Sequence, residues 1–219
     1  MNRRAMSKPT SNYSALSALR GLCRNAGLPL LLMTAVMTVP LAACGSGGSE
    51  PPPLAGAQIG GPFTLADKAG RAVNWDDFKG KWRIIYFGYT FCPDACPTDV
   101  GVMMRGFDRF AAGHAALAAD VQPIFITIDP ARDTPARVGE FAAAFSPHLL
   151  GLTGTAPQVE QAAKNFLAYY ARGKDTPGGY LMDHSRIAYL MDRDGKPVAM
   201  LPVDRGPDAV SAELAKWVK

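Results

Sequence analysis

Tyr86-Phe-Gly-Tyr-Thr-Phe-Cys-Pro-Asp-Ala-Cys-Pro97 decides how the rest of the chain is read. It continues Trp82-Arg-Ile-Ile-Tyr-Phe87, whose β-branched and aromatic content predicts a buried central strand. The strand stops at Gly88. The chain then places Cys92 and Cys96 four residues apart, each followed by a proline. Val102, Met103, Phe107 and Phe110 come next at helical spacing, so Thr98 to Phe110 is predicted as an amphipathic helix. Two soft, redox-active side chains between a strand and a helix suit a metal site, thiol–disulfide exchange or a stabilising disulfide.

Working outward, Phe63–Ala66 and Ala72–Trp75 flank the turn Asp67-Lys-Ala-Gly70, a hairpin signal. Val121–Ile128 is a second core strand, ending in Asp129-Pro130. Thr134 caps a helix with Pro135 at its first position, and that helix runs to about Phe145. Leu149–Leu152 is a short strand. Thr155 caps a helix expected to continue through Tyr169-Tyr170. Ile187–Met191 and Pro197–Leu201 form a hairpin around Asp192-Arg-Asp-Gly195, and Pro207–Val218 closes as a helix. The order β-β-β-α-β-α-β-α-β-β-α predicts an α/β fold with a central mixed, mostly parallel sheet flanked by helices. It carries an N-terminal β-hairpin and an inserted C-terminal hairpin. A redox pair just after a strand, opening a helix, is the layout of the thioredoxin-like fold.

The formal charge of +4 is misleading. Residues 1–43 hold Arg3, Arg4, Lys8, Arg20 and Arg24 and no acid; the remainder has 18 basic against 19 acidic side chains, a net charge of −1. A near-neutral domain argues against nucleic acid as a partner. The basic start precedes an apolar run, Leu28–Ala43, interrupted by Pro29 and Pro40 and shorter than the roughly 20 residues of a membrane span. It is expected to be a signal peptide, residues 1–43. Leu41-Ala-Ala-Cys44 resembles the bacterial lipobox, which would leave Cys44 as a lipidated first residue. Residues 44–56, rich in Gly, Ser and Pro, are expected to be a linker, and 57–219 the folded domain. That domain retains Cys92 and Cys96 as its two cysteines, too few for a disulfide-stapled scaffold.

Residues i and i+4 of a helix share a face about 6 Å apart along the axis, close enough for a disulfide or for one shared guest. Helix N-terminal amides favour the thiolate form. A structural disulfide over so short a loop would stabilise only modestly. Zinc in structural sites takes four ligands, and an iron–sulfur cluster takes about four cysteines. Cu(I) is satisfied by two sulfurs and one nitrogen, so a third ligand is sought among the histidines. His114 and His148 read as solvated loop residues. His184, in Tyr180-Leu-Met-Asp-His-Ser185, stands just before a strong strand. Taken alone it is an ordinary loop histidine.

Three stretches, Tyr86–Pro97, Thr127-Ile-Asp-Pro-Ala-Arg-Asp-Thr-Pro135 and Asp183-His-Ser185, together resemble the SCO/SenC family across about residues 57–219. The resemblance implies a thioredoxin-like fold that binds copper, as Cu(I) or Cu(II), through Cys92, Cys96 and His184. It implies a metallochaperone that helps assemble the dinuclear copper centre of cytochrome c oxidase. The copper-bearing subunit would be its partner, alongside other periplasmic copper chaperones or thiol reductants. Oxidation of the cysteine pair would be its off state. The location implied is the bacterial cell envelope, with the domain facing the periplasm and Cys44 holding it to a membrane. Asp183 would orient the His184 ring or be a solvated acid. Asp129 would orient a ligand or form a turn with Pro130. Arg132 and Asp133 would fix their loop. A thiol–disulfide oxidoreductase using Cys92 and Cys96 as its catalytic pair is the rival reading. A peroxidase using Thr90 and Arg132 would leave His184 without a task.

Overall fold

The computed structural model describes residues 50–219. The expected signal peptide 1–43, Cys44 with its expected lipidation, and the start of the expected linker lie outside the described residues. At the centre is β3 (Trp82–Gly88), buried at every position. It pairs in parallel with β4 (Val121–Thr127) and antiparallel with β8 (Ala188–Met191). Outside these, β5 (Leu150–Leu152) runs parallel to β4, and β9 (Pro197–Leu201) antiparallel to β8. The sheet order β5-β4-β3-β8-β9 is evenly mixed, whereas the sequence suggested a mostly parallel sheet.

Alternation along β3 explains the two cores. Ile84 and Tyr86 face one side, where α1 (Ala95–Gly113), the short α2 (Ala115–Ala118), α3 (Pro135–Phe145) and α5 (Pro207–Trp217) contribute Val100, Met103, Phe107, Ala118, Val138 and Leu214. Ile85 and Phe87 face the other, packed with Val159 and Phe166 at α4 (Ala156–Asn165). The hairpin β1 (Thr64–Ala66) and β2 (Ala72–Asn74) closes that second side with Leu65. Trp75 and Phe78, on the 3-10 turn that follows, complete it.

Two expectations change. First, α4 stops at Asn165 and does not reach Tyr170. Leu167 takes φ 51°, and the Ala168 N–H reaches back to the Ala163 carbonyl at 2.9 Å, which turns the chain out of the helix. The chain then forms a ribbon, β6 (Tyr170–Thr176) and β7 (Gly179–His184). Second, α1 starts at Ala95 and includes Cys96, while Cys92 lies in the loop before it. The two cysteines therefore do not share a helix face. Within the stretch expected to be a linker, the Leu54 N–H donates to the Val198 carbonyl at 3.0 Å. Among the described residues, no helix is long and apolar enough to cross a membrane.

Candidate metal centre

The centre forms where β3 runs out. A Cβ at Gly88 would lie 3.0 Å from the Cys96 sulfur and equally near the Phe125 and Tyr86 rings. Glycine here makes room for Cys96 against the sheet. Beyond it the loop is gripped by Asp133, a fully buried carboxylate. Asp133 accepts hydrogen bonds from the Thr90 N–H (3.0 Å), the Thr90 hydroxyl (2.6 Å) and the Thr127 hydroxyl (2.6 Å). Burial raises its pKa, and those donors hold it.

Cys92 then folds back on the start of α1. Its sulfur accepts the Cys96 backbone N–H at 3.3 Å, taking an amide that the helix leaves free. Cys96 is buried, Cys92 is half-buried, and both are free thiols. The Cys96 sulfur lies 3.1 Å from His184 Nε2. The three potential ligand atoms all lie within 4.8 Å of one another, the one such cluster among the described residues. Cys92 is held far below the usual thiol range by hydrogen bonding from Cys96, assisted by His184 and by backbone amides. Cys96 moves the opposite way, raised by its hydrogen bond to Cys92 and by burial. Together they keep one proton, on the sulfur with less access to water.

His184 is the last residue of β7, paired across the ribbon with Tyr170. Its ring stands edge-on to Tyr86 at 6.3 Å and to Tyr89 at 5.9 Å. Nδ1 lies 3.0 Å from the Ser185 carbonyl oxygen. A carbonyl only accepts, so Nδ1 carries a proton, and Nε2 is the ring nitrogen that faces the cysteines. A metal at this centre would take His184 through Nε2, with the ring oriented by the Ser185 carbonyl at Nδ1.

The other sequence candidates fall differently. Asp183 is exposed and adjoins His184 on a strand, where neighbours face opposite sides. The Ser185 carbonyl takes the role expected of Asp183. Asp129 is buried and meets none of the three candidate ligands in a hydrogen bond. It accepts from Arg132 Nε (2.5 Å) and from the Tyr180 hydroxyl (2.8 Å). Arg132 also donates to the Tyr180 carbonyl (2.8 Å), and its guanidinium lies over the Tyr180 ring (3.6 Å) and the Phe91 ring (4.8 Å). The 129–134 loop therefore supplies no ligand. It grips the cysteine loop through Asp133 and the histidine ribbon through Asp129 and Arg132. His114 stacks on Phe110 and His148 meets Phe107, so neither joins the cluster. The site opens into a shallow depression of about 360 Å³. A larger cleft of about 760 Å³, floored by Phe107 and Ala142, contains none of the site residues.

Sequence reasoning missed Tyr180, Asp99 and Arg186. The last two carried a signal: opposite charges stand close to each ligand motif, Asp99 three residues after Cys96 and Arg186 two after His184.

A mixed sheet with a cysteine pair at a helix start, and a histidine brought back beside it, defines a thioredoxin-like domain with a candidate sulfur–sulfur–nitrogen ligand set. The SCO1/SenC family profile matches residues 52–219, and the chain belongs to that family. Protein SenC of Rhodobacter capsulatus is 43% identical over 152 residues, covering 69% of this chain and 65% of that protein. The crystal structure of Arabidopsis thaliana ScoI with copper bound superposes with a TM-score of 0.68 at 35% identity, covering 72% of this chain and 96% of that one. Bradyrhizobium japonicum ScoI with copper bound gives a TM-score of 0.65 at 38% identity, covering 73% and 99%. Against three longer curated relatives the match covers 62%, 50% and 53% of their length.

Proposed function

We propose that this chain is a copper metallochaperone of the bacterial cell envelope. It carries copper on Cys92, Cys96 and His184 and delivers it to the copper-bearing subunit of cytochrome c oxidase while the dinuclear centre is assembled. The observation that carries this reading is the convergence of two cysteine sulfurs and one imidazole nitrogen within 4.8 Å. Soft sulfur with one imidazole suits Cu(I), and zinc in structural sites would want a fourth ligand. Cys92 enters as a ready thiolate. Cys96 gives up its proton to the solvent when the metal takes its place. His184 offers Nε2, with its Nδ1 proton held by the Ser185 carbonyl. The copper-bound relatives support the cargo, and the depression at Cys92 gives an acceptor's ligands a way in. Tethering through Cys44 rests on Leu41-Ala-Ala-Cys44 and would hold the domain beside a membrane-embedded client.

The test is copper titration of the reduced protein. One equivalent should bind, Cys92→Ala or Cys96→Ala should abolish stoichiometric binding, and His184→Ala should weaken it. A His184→Ala protein with unchanged affinity and spectrum overturns the three-ligand site. For the tether, cells grown with a radiolabelled fatty acid should label the wild type and not Cys44→Ala.

The unequal burial of the cysteines favours a second role on the same pair. The Cys92 thiolate attacks a client disulfide and expels one client thiolate. Cys96 then loses its proton and attacks the Cys92 sulfur, releasing the second client thiolate. The client gains two electrons and the chain ends as a Cys92–Cys96 disulfide. Cys96→Ala should trap the mixed disulfide on Cys92, and absence of that adduct with a disulfide-containing client overturns this role.

A further inference from the structure

Arg186 stands two residues beyond His184, in the short link to β8, and Asp99 stands three residues beyond Cys96 on α1. Their side chains meet as a two-pronged pair. Arg186 Nε donates to one Asp99 oxygen at 2.8 Å and Nη2 to the other at 2.6 Å. Asp99 is 1% exposed, and the Tyr86 hydroxyl donates to it at 2.9 Å. Positions three apart on a helix share a face, so the carboxylate sits about one turn beyond the Cys96 sulfur. The same Tyr86 presents its ring edge-on to His184. One buried acid thus joins the helix of Cys96, the central strand and the link that follows His184.

The ribbon needs such a tie. Among the described residues, β6 and β7 pair extensively only with each other. Met182 and Tyr170 lend partial apolar contact to the body. The Arg132 contacts hold the ribbon at Tyr180, four residues short of His184. Arg186 holds it just past the ligand. A two-pronged guanidinium–carboxylate pair fixes angle as well as distance, which an ammonium does not.

We propose that the Asp99–Arg186 pair is a latch that sets the spacing between Cys96 and His184, which makes Arg186 a positioning residue for the copper site. This rests on the reading of Cys92, Cys96 and His184 as the ligands. The latch acts through the imidazole, so its loss should matter only while the imidazole is present.

Cu(I) affinity is measured by chelator competition for reduced wild type, Arg186→Ala, His184→Ala and the double variant. Arg186→Ala should lose about 10- to 100-fold, the range seen when partners of metal ligands are removed. The double variant should be no weaker than His184→Ala alone. Arg186→Lys keeps the charge without the fork and should follow Arg186→Ala; it replaces Arg186→Ala in the cycle if circular dichroism shows that variant unfolded. Equal losses in both backgrounds, or no loss in either, overturn the latch. Unchanged affinity in His184→Ala overturns the copper-ligand reading instead.

Discussion

Because the Cys96 amide donates to the Cys92 sulfur at 3.3 Å and the two side chains shift each other's protonation in opposite directions, the reduced pair responds to pH as a unit. The folded pKa of Cys92 is lowered to about 3, so its contribution to stability is full above the ordinary thiol value and fades as pH falls toward 3. The Cys96 pKa is raised, so its contribution is present below the ordinary thiol value and is lost above it. Between these limits the unfolded pair holds two protons and the folded pair one, so stability should rise with pH up to about 8.5, an ordinary thiol's pKa, and then fall. Urea midpoints of reduced wild type minus those of Cys92→Ala, at pH 5 and pH 8, should show the wild-type advantage growing with pH. A flat difference would mean the thiolate is not preformed. Gly88 offers a steric check at the same spot. Gly88→Ala puts a methyl against Cys96, Phe125 and Tyr86, and overpacking of this kind costs about 1–3 kcal/mol. Its melting temperature should drop, and Cys96 should become more reactive to alkylating agents as it is pushed off the sheet.

Among the elements, the ribbon β6–β7 is where sequence reasoning failed, for identifiable reasons. Helices are commonly followed by a glycine with positive φ, and after α4 that place is taken by Leu167, so nothing marked the end. β6 then carries Arg172, Lys174 and Asp175, with no apolar alternation to betray a strand. The turn that reverses it, Thr176-Pro-Gly-Gly179, was the available signal. A non-glycine residue in the left-handed region costs about 1–2 kcal/mol, part of which a glycine's greater unfolded freedom cancels. Leu167→Gly should therefore stabilise by about 0.5–1 kcal/mol and raise the melting temperature by a few degrees. Arg132→Ala should act in the opposite sense and locally. Amide exchange should quicken in 179–184, with the β3 and β4 amides unaffected. Uniform quickening would instead make Arg132 a general core residue.

For the molecule as a whole, the sheet was legible because Trp82–Phe87 and Val121–Thr127 are apolar enough to be nothing else. The Thr134-Pro135 and Asp192–Gly195 signals placed a helix start and a hairpin correctly. The nearness of His184 to the cysteines followed from resemblance and not from pattern. It depends on how the 129–134 loop and a latched ribbon bring together segments that no local periodicity relates. The histidine is 88 residues along the chain from Cys96. In polymer terms, a metal bridging them would be a removable cross-link that staples shut a very large ring. An ion held by the two cysteines alone closes a ring of only a few residues. Loop-closure entropy separates the two cases by about 3 kcal/mol. Copper should therefore raise the melting temperature of the wild type well beyond its effect on His184→Ala, and calorimetry of both loaded proteins measures the difference. Delivering the ion would then loosen the carrier, leaving the emptied chain the softer of its two forms.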